Sequence, residues 1–139
     1  MPPKIKQTIN IIAEIANAHQ GSPEIAIELA RAAIESGASS IKFQIYFAEE
    51  LLTRNHPRFS HFDKQAFTKE TWNKLLHKVK EFGVEVYADV FGLEALELAI
   101  KHNIDGIKVH SSDLINVKLL DQISYFKGKV FLAVGGSSL

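Results

Sequence analysis

Two lysines and an amide interrupt apolar segments that otherwise have the composition of buried strands. The segment IKFQIYF, residues 41–47, is apolar except at Lys42 and Gln44. Side chains two residues apart in a strand point to the same face, so Lys42 and Gln44 share one side. Lys108 interrupts the segment GIKV in the same way. Because an ammonium group facing a dry core is unfavourable by several kcal/mol, these positions are predicted to meet solvent or to line a site.

Further polar residues stand near the carboxyl ends of the other apolar segments. Glu14 lies in the first segment, Asp89 in the third, and His110 and Ser111 close the fourth. If these side chains meet in one confined site, the two lysines would hold a carboxylate or phosphate. Glu14 would donate or accept a proton there. A desolvated lysine would instead form a Schiff base with a carbonyl substrate, as in an aldolase that uses Lys108 or Lys42. A non-catalytic sugar-binding or assembly module is the third hypothesis.

Each polar residue also has a purely structural interpretation. Glu14 and Lys42 would form a buried ion pair that gives specificity without catalysis. His19 precedes a predicted helix and would hydrogen-bond within its loop, and His110 would bond to the backbone. Helix capping accounts for two later residues, Asp113 and Asn116. Surface positions are expected for His56, His61, His77 and His102.

The elements that must position these residues alternate regularly along the chain. Ser22 is predicted to cap a helix that ends at Gly37, and Thr68 a helix that ends at Gly83, with residues 48–67 as a long loop between them. The helix after Thr68 has an apolar face that includes Trp72. The predicted strands cover residues 9–16, 40–47, 84–91, 106–112 and 129–136.

Apolar segments that alternate with helices predict an α/β fold with parallel strands. The dinucleotide-binding and P-loop glycine patterns are both missing. A five-stranded open sheet suits the length, but polar residues spread over four successive strands favour the mouth of a (β/α)8 TIM barrel. We therefore expect a partial barrel of about five βα units. Residues 1–139 would be the N-terminal portion of an apparently truncated barrel, with no second domain.

Composition narrows the possible partners. The 139 residues carry 16 Lys and Arg against 16 Asp and Glu and no cysteine, so neither a nucleic-acid footprint nor a thiolate metal site is expected. No secretory signal and no apolar run of membrane-spanning length is visible. These features predict a cytoplasmic protein without membrane or nucleic-acid partners. Exposed strand edges predict self-association, and a well-behaved monomer with a high melting temperature would contradict the partial barrel.

The segments IIAEIANAHQGS and GASSIKFQIYFAEELLT together resemble the N-acetylneuraminate (sialic acid) synthase family. Glu14, His19, Gly21, Lys42 and Gln44 fall on that family's motif positions. The segment FGVEVYADVFGLEALELAIKHNIDGIKVHSSDLINVKLL also fits without a gap, so that the resemblance covers nearly the whole chain.

This resemblance implies a barrel enzyme that condenses phosphoenolpyruvate with an N-acyl amino sugar of the N-acetylmannosamine type. It implies that Lys42, Lys108 and Ser111 hold phosphoenolpyruvate, that Gln44 lies on the sugar side, and that Glu14 is an acidic residue near the reacting carbons. It also implies a divalent metal, manganese or magnesium, whose ligands are not on this chain.

Three positions depart from the family pattern. Asp89 stands where the family has a threonine that helps to hold the phosphate, and Ala133 stands where it has a serine. The family's asparagine before His19 is replaced by Ala18, with Asn17 beside it. Asp89 and His19 are expected to take part in substrate binding, together with Gln44 and Ser111. A carboxylate at position 89 is expected to lower the affinity for phosphate unless it is protonated or bridged by a metal.

Overall fold

The computed structural model of the protein describes residues 9–137. Five strands alternate with six α-helices, and one 3-10 turn follows the fourth strand. The strands are β1 Ile12–Ala16, β2 Ser40–Tyr46, β3 Glu85–Phe91, β4 Gly106–Val109 and β5 Lys129–Leu132. The helices are α1 Pro23–Glu35, α2 Ala48–Leu51, α3 Phe59–Gln65, α4 Lys69–Lys80, α5 Leu93–Lys101 and α6 Val117–Ile123, and the 3-10 turn is Ser111–Asp113.

All five strands are parallel and lie in the order β1-β2-β3-β4-β5. A doubly wound open sheet reverses its strand order at a switch point, and no reversal occurs among the described strands. Each strand instead pairs with its neighbours in sequence, as the strands of a (β/α)8 barrel do. The open-sheet alternative is therefore wrong, and the partial barrel is confirmed.

The main core lies between the outer face of the sheet and the helices. Phe43 is fully buried and meets Trp72 of α4 edge-on, with 6.0 Å between ring centroids. The predicted apolar face of α4 is buried throughout, from Trp72 to Val79. On α1, Ala26 and Ala30 have no exposed surface. These contacts fix which side chains remain on the opposite, inner face of the strands.

Side-chain caps begin three of the helices. Ser22 accepts from the Ile25 amide, and Thr68 accepts from the Thr71 amide, as predicted. Asn116 accepts from the Leu119 amide and so caps α6. The capping role expected for Asp113 is wrong, because this residue ends the 3-10 turn and its carboxylate accepts from the Asn116 side chain.

The loop predicted for residues 48–67 contains the two short helices α2 and α3, which corrects that expectation. Tertiary contacts hold them. The Tyr46 hydroxyl donates to the Phe62 carbonyl at 3.3 Å, and the two rings meet edge-on at 5.7 Å. Helices of four and seven residues are too short to be stable alone, so their formation depends on this packing.

Apolar side chains are exposed around β5 and α6. Ile115 is 88% exposed and Leu132 is 55% exposed, and all four residues of β5 are exposed. These are the surfaces on which the prediction of self-association depends. Across residues 9–137, no helix has the length and apolar character needed to cross a membrane.

Candidate active site

Strand register stacks the inner-face side chains in three rows. Residues paired across parallel strands share a face, and the face repeats every second residue. The lower row holds Glu14, Lys42, Tyr87, Gly106 and Lys129. The middle row holds Gln44, Asp89, Lys108 and Phe131, and the upper row begins with Tyr46 and Phe91. Most of the predicted site residues therefore lie on one continuous surface at the carboxyl end of the sheet.

Four charged side chains from four strands meet in this surface, and we call Glu14, Lys42, Asp89 and Lys108 the charge quartet. Asp89 Oδ2 accepts from Lys42 Nζ at 3.1 Å and from Lys108 Nζ at 2.8 Å. Lys42 also donates to Glu14. The ion pair predicted between Glu14 and Lys42 is thus present, but Asp89 is the carboxylate that bridges both lysines.

The members of the charge quartet differ in burial. The Asp89 side chain has no exposed surface and that of Lys42 is 11% exposed, whereas those of Lys108 and Glu14 are 29% and 41% exposed. Asp89 Oδ1 is buried and has no hydrogen-bond partner among the residues that the structure describes. A buried carboxylate oxygen without a protein donor is unusual.

A cavity of about 550 Å³ lies at the carboxyl end of the sheet, and the residues that line it do not include the charge quartet. Gln44 lines it from the middle row, and Tyr46 and Phe91 line it from the upper row. The remaining lining residues are Asn17, Leu51, Leu52, His56, Arg58, Phe62, His110 and Ser112. Apolar and aromatic walls with a few polar groups are typical of a small-molecule site.

The segment that contains α2 and α3 forms one wall of this cavity. Phe62 packs against Tyr46, and the Arg58 guanidinium lies 5.0 Å from the centre of the Phe62 ring. Burial raises the pKa of Tyr46 to about 12. The Tyr46 hydroxyl therefore stays protonated at neutral pH and remains able to donate its hydrogen bond to this wall.

His110 forms part of the opposite wall. Its ring stacks on Phe91 with 5.3 Å between centroids. The Ser112 amide donates to His110 Nδ1 at 3.4 Å, which agrees with the backbone bond expected for this histidine. In the neutral ring an accepting Nδ1 leaves the proton on Nε2. The cavity lining includes Ser112 rather than Ser111, so the phosphoenolpyruvate-binding role of Ser111 stays a prediction.

His19 lies away from the cavity lining. Its ring is 1% exposed and lies 4.4 Å from the Phe67 ring, and its Nδ1 accepts from the Gly21 amide at 3.1 Å. Gly21 has a φ of 84°, and a Cβ at this position would approach the Lys64 carbonyl oxygen to 2.7 Å. The β1–α1 turn therefore needs glycine here, and the substrate-binding role of His19 stays a prediction.

Sequence reasoning missed Tyr46 and Phe91 in the upper row of the site. Each follows a predicted site residue by two positions, so the period of a strand was the available signal. Their aromatic character made a core interpretation equally natural. His56, expected simply on the surface, is exposed and also lines the cavity.

The resemblance implied a divalent metal, and the described residues do not fit one. Residues 9–137 contain no group of three or more His, Asp or Glu side chains placed to hold a metal ion. Glu14 and Asp89 are both engaged by lysines. We therefore derive no step through a metal from these residues.

A family model described as the NeuB family matches residues 29–139. The chain belongs to the NeuB family. This match includes β2 to β5, the strands that carry Lys42, Gln44, Asp89 and Lys108.

Curated relatives of this NeuB-family chain include two synthases. The N,N'-diacetyllegionaminic acid synthase of Legionella pneumophila is 25% identical over 92% of the chain and 40% of its own length. The N-acetylneuraminate-9-phosphate synthase of Drosophila melanogaster is 26% identical over 95% of the chain and 39% of its own length. The chain thus spans about two fifths of the length of these relatives.

The NeuB-family chain also superposes on a solved structure, the N-acetylneuraminic acid synthetase of Leptospira borgpetersenii in complex with citrate. The TM-score is 0.85 at 25% sequence identity, and the match covers 94% of the chain and 46% of the solved chain. The five strands and their helices are therefore one part of the larger fold seen there.

Proposed function

We propose that the protein carrying this sequence is a sialic acid synthase-like enzyme that condenses phosphoenolpyruvate with an N-acyl amino sugar to give a nonulosonic acid. The observation that carries this proposal is the approach of Lys42 of β2 and Lys108 of β4 to the same buried oxygen of Asp89. Asp89 is in register with Gln44, which lines a cavity of about 550 Å³. Paired ammonium groups recognise phosphate and carboxylate, and membership of the NeuB family supports the same class of substrate.

The cavity at the carboxyl end of the sheet suits the sugar. Gln44 and Asn17 line it and contribute amide groups, which can exchange hydrogen bonds with hydroxyl and N-acyl groups. Phe62 and Phe91 contribute aromatic surface against which the apolar side of a sugar ring can pack. In this proposal the alkene carbon of phosphoenolpyruvate lies at the boundary between the two groups of residues, facing the aldehyde carbon of the sugar.

The reaction forms one carbon–carbon bond and one carbon–oxygen bond to the water oxygen, and it breaks the carbon–oxygen bond to phosphate. The alkene carbon of phosphoenolpyruvate attacks the aldehyde, water adds to the adjacent carbon, and phosphate leaves with the oxygen that attached it. Lys42, Lys108 and Ser111 are proposed to hold the donor, and Glu14 to transfer a proton near the reacting carbons. The 41% exposure of the Glu14 side chain gives it access to solvent protons.

The Schiff-base alternative finds less support in this geometry. Lys108 donates to Asp89 at 2.8 Å, and Lys42 donates to both Asp89 and Glu14. Either amine would have to leave these carboxylates before attacking a carbonyl. Borohydride reduction with a carbonyl substrate is expected to leave both lysines without a mass adduct.

An activity assay tests the proposed function. The protein is incubated with phosphoenolpyruvate, N-acetylmannosamine and manganese, and the nonulosonic acid and inorganic phosphate are measured by mass spectrometry and colorimetry. We expect equal amounts of both products and a loss of about a hundredfold or more in Lys108→Met, since a lost charged contact is worth several kcal/mol. Lys118→Met, on the exposed part of α6, is the control and keeps full activity. Full activity in Lys108→Met would refute the assignment.

A further inference from the structure

The charge quartet is electrically balanced before any ligand arrives. Glu14 and Asp89 contribute two negative charges, and Lys42 and Lys108 contribute two positive charges, all within one connected set of ion pairs. A phosphate or carboxylate that enters this set meets no net positive charge. It must compete with a carboxylate that already occupies the lysines.

Asp89 is the competitor that matters most. Its Oδ2 contacts both ammonium groups, at 3.1 Å and 2.8 Å, whereas Glu14 contacts only Lys42 among the charged groups of residues 9–137. Asp89 is fully buried, so water screens its charge little. A ligand oxygen able to reach both lysines would therefore lie close to the Asp89 carboxylate, and two like charges in one buried site do not both remain ionised.

The second oxygen of Asp89 shows how this conflict is relieved. Oδ1 is buried and lacks a hydrogen-bond donor within the described part of the chain. A proton placed on Oδ1 removes the negative charge and creates an O–H group. Lys42 and Lys108 then keep their own donors for an oxygen of the incoming anion, and no second negative charge opposes it.

We propose that Asp89 is a built-in competing anion that sets the affinity of the site for the acidic substrate, and that binding of this substrate is coupled to uptake of one proton by Asp89. The proposal rests on the proposed function, in which Lys42 and Lys108 hold the acidic donor. The proton comes from solvent or from the ligand's own acidic group, and it returns when the ligand leaves.

The groups around Asp89 define what else contributes to a pH effect. Glu14 and Lys42 face it from β1 and β2, and Lys108 faces it from β4. One row below lie Tyr87 and Lys129, which are engaged with Glu85, and His110 lies just after the end of β4, two residues beyond Lys108. An Asp89→Asn variant changes the carboxylate alone and leaves all of these groups in place.

Sulfate is the probe for this proposal because its charge stays constant from mildly acidic to neutral pH. Its binding to the chain is measured by calorimetry for the wild type and for Asp89→Asn. We expect sulfate to bind the variant at least about tenfold more tightly, and to bind the wild type more tightly as the pH falls. The pH dependence is expected to disappear in Asp89→Asn. Equal or weaker binding to the variant would overturn the proposal.

Two controls separate charge from folding. Asp121→Asn removes an exposed carboxylate from α6 and is expected to bind sulfate like the wild type, because its charge lies outside the quartet. If Asp89→Asn does not fold, the wild-type pH series decides alone. Sulfate binding that is independent of pH would then refute the coupling to a proton.

Failure of this inference is distinguishable from failure of the proposed function. A gain of sulfate binding in Asp89→Asn without any nonulosonic acid in the activity assay would support the role of Asp89 and reject the reaction. Product formation by a wild type whose Asp89→Asn variant gains no sulfate binding would keep the reaction and reject the role of Asp89.

Discussion

A lysine in the middle of a buried strand needs a counter-charge, and Lys42 has two. It donates to Glu14 on one side and to Asp89 on the other, and its side chain is only 11% exposed. Removing one partner of a buried pair is strongly destabilising, by about 3–5 kcal/mol, because a charge is left unpaired. The two carboxylates from the neighbouring strands therefore explain why Lys42 can occur within the apolar segment of β2.

His19 gives a prediction at the same scale. Burial lowers its pKa below the ordinary value of 6.5, so the folded protein holds it neutral while the unfolded chain binds a proton more readily. Below about pH 6.5 the unfolded state therefore takes up more protons, and stability falls as the pH falls. This loss is complete once the pH is below the folded pKa of His19.

Urea unfolding between neutral and mildly acidic pH measures this effect. His19→Gln is expected to be less stable at neutral pH but to lose less stability on acidification than the wild type does. His61→Gln, on the exposed side of α3, should retain the wild-type acid loss because His19 is intact. An unchanged acid loss in His19→Gln would show that other groups are responsible.

At the scale of elements, Glu50 of α2 supplies the cap that α5 lacks. The residue before α5 is Gly92, which has no side chain to cap with, and the Glu50 carboxylate accepts from the Glu94 amide at 3.1 Å. Gly92 has a φ of 94°, and a Cβ there would collide with this carboxylate. The carboxyl end of β3 is thus tied to the segment that forms the cavity wall.

Replacing Glu50 by alanine tests whether its carboxylate caps α5. We expect a loss of about 1 kcal/mol of unfolding free energy, as for other helix caps. Glu49→Ala is the matched control on the same helix, because the partner of Glu49 within the described residues is the exposed Arg54 and surface pairs contribute about 0–1 kcal/mol. Equal unfolding free energies for the two variants in urea would contradict the cap.

Local signals made several elements predictable. Ser22, Thr68 and Asn116 cap helices in the way that their residue types indicate. The helices α2 and α3 were not predictable, because they are short and depend on contacts such as that between Tyr46 and Phe62. Local propensity carries little information where tertiary packing decides the structure.

The same division holds for the candidate site. Because side chains alternate along a strand, the sequence predicts that Lys42 and Gln44 share one face. The order of the strands then places Asp89 and Lys108 beside them. What the sequence did not reveal is that one oxygen of Asp89 contacts both lysines. That contact depends on the register between three strands, and the amino-acid sequence alone does not specify this register.

At the scale of the whole molecule, the described fold presents one face of a barrel mouth. The charge quartet lies on the inner face of the strands, the cavity lies at their carboxyl end, and the segment with α2 and α3 lines one side of it. We propose that this mouth recognises both an acidic donor and an amino sugar. Both ligands should therefore bind the chain itself, whatever other residues the reaction requires.

The most direct test is calorimetric titration of the folded chain with N-acetylmannosamine and with phosphoenolpyruvate. We predict one site for each ligand, with the sugar bound about tenfold more weakly by Gln44→Ala, since a lost hydrogen bond to a buried group is worth about 1–3 kcal/mol. Gln122→Ala on the exposed part of α6 is the control. Binding of the sugar without phosphoenolpyruvate would favour the non-catalytic sugar-binding module, and binding of neither ligand would contradict the account.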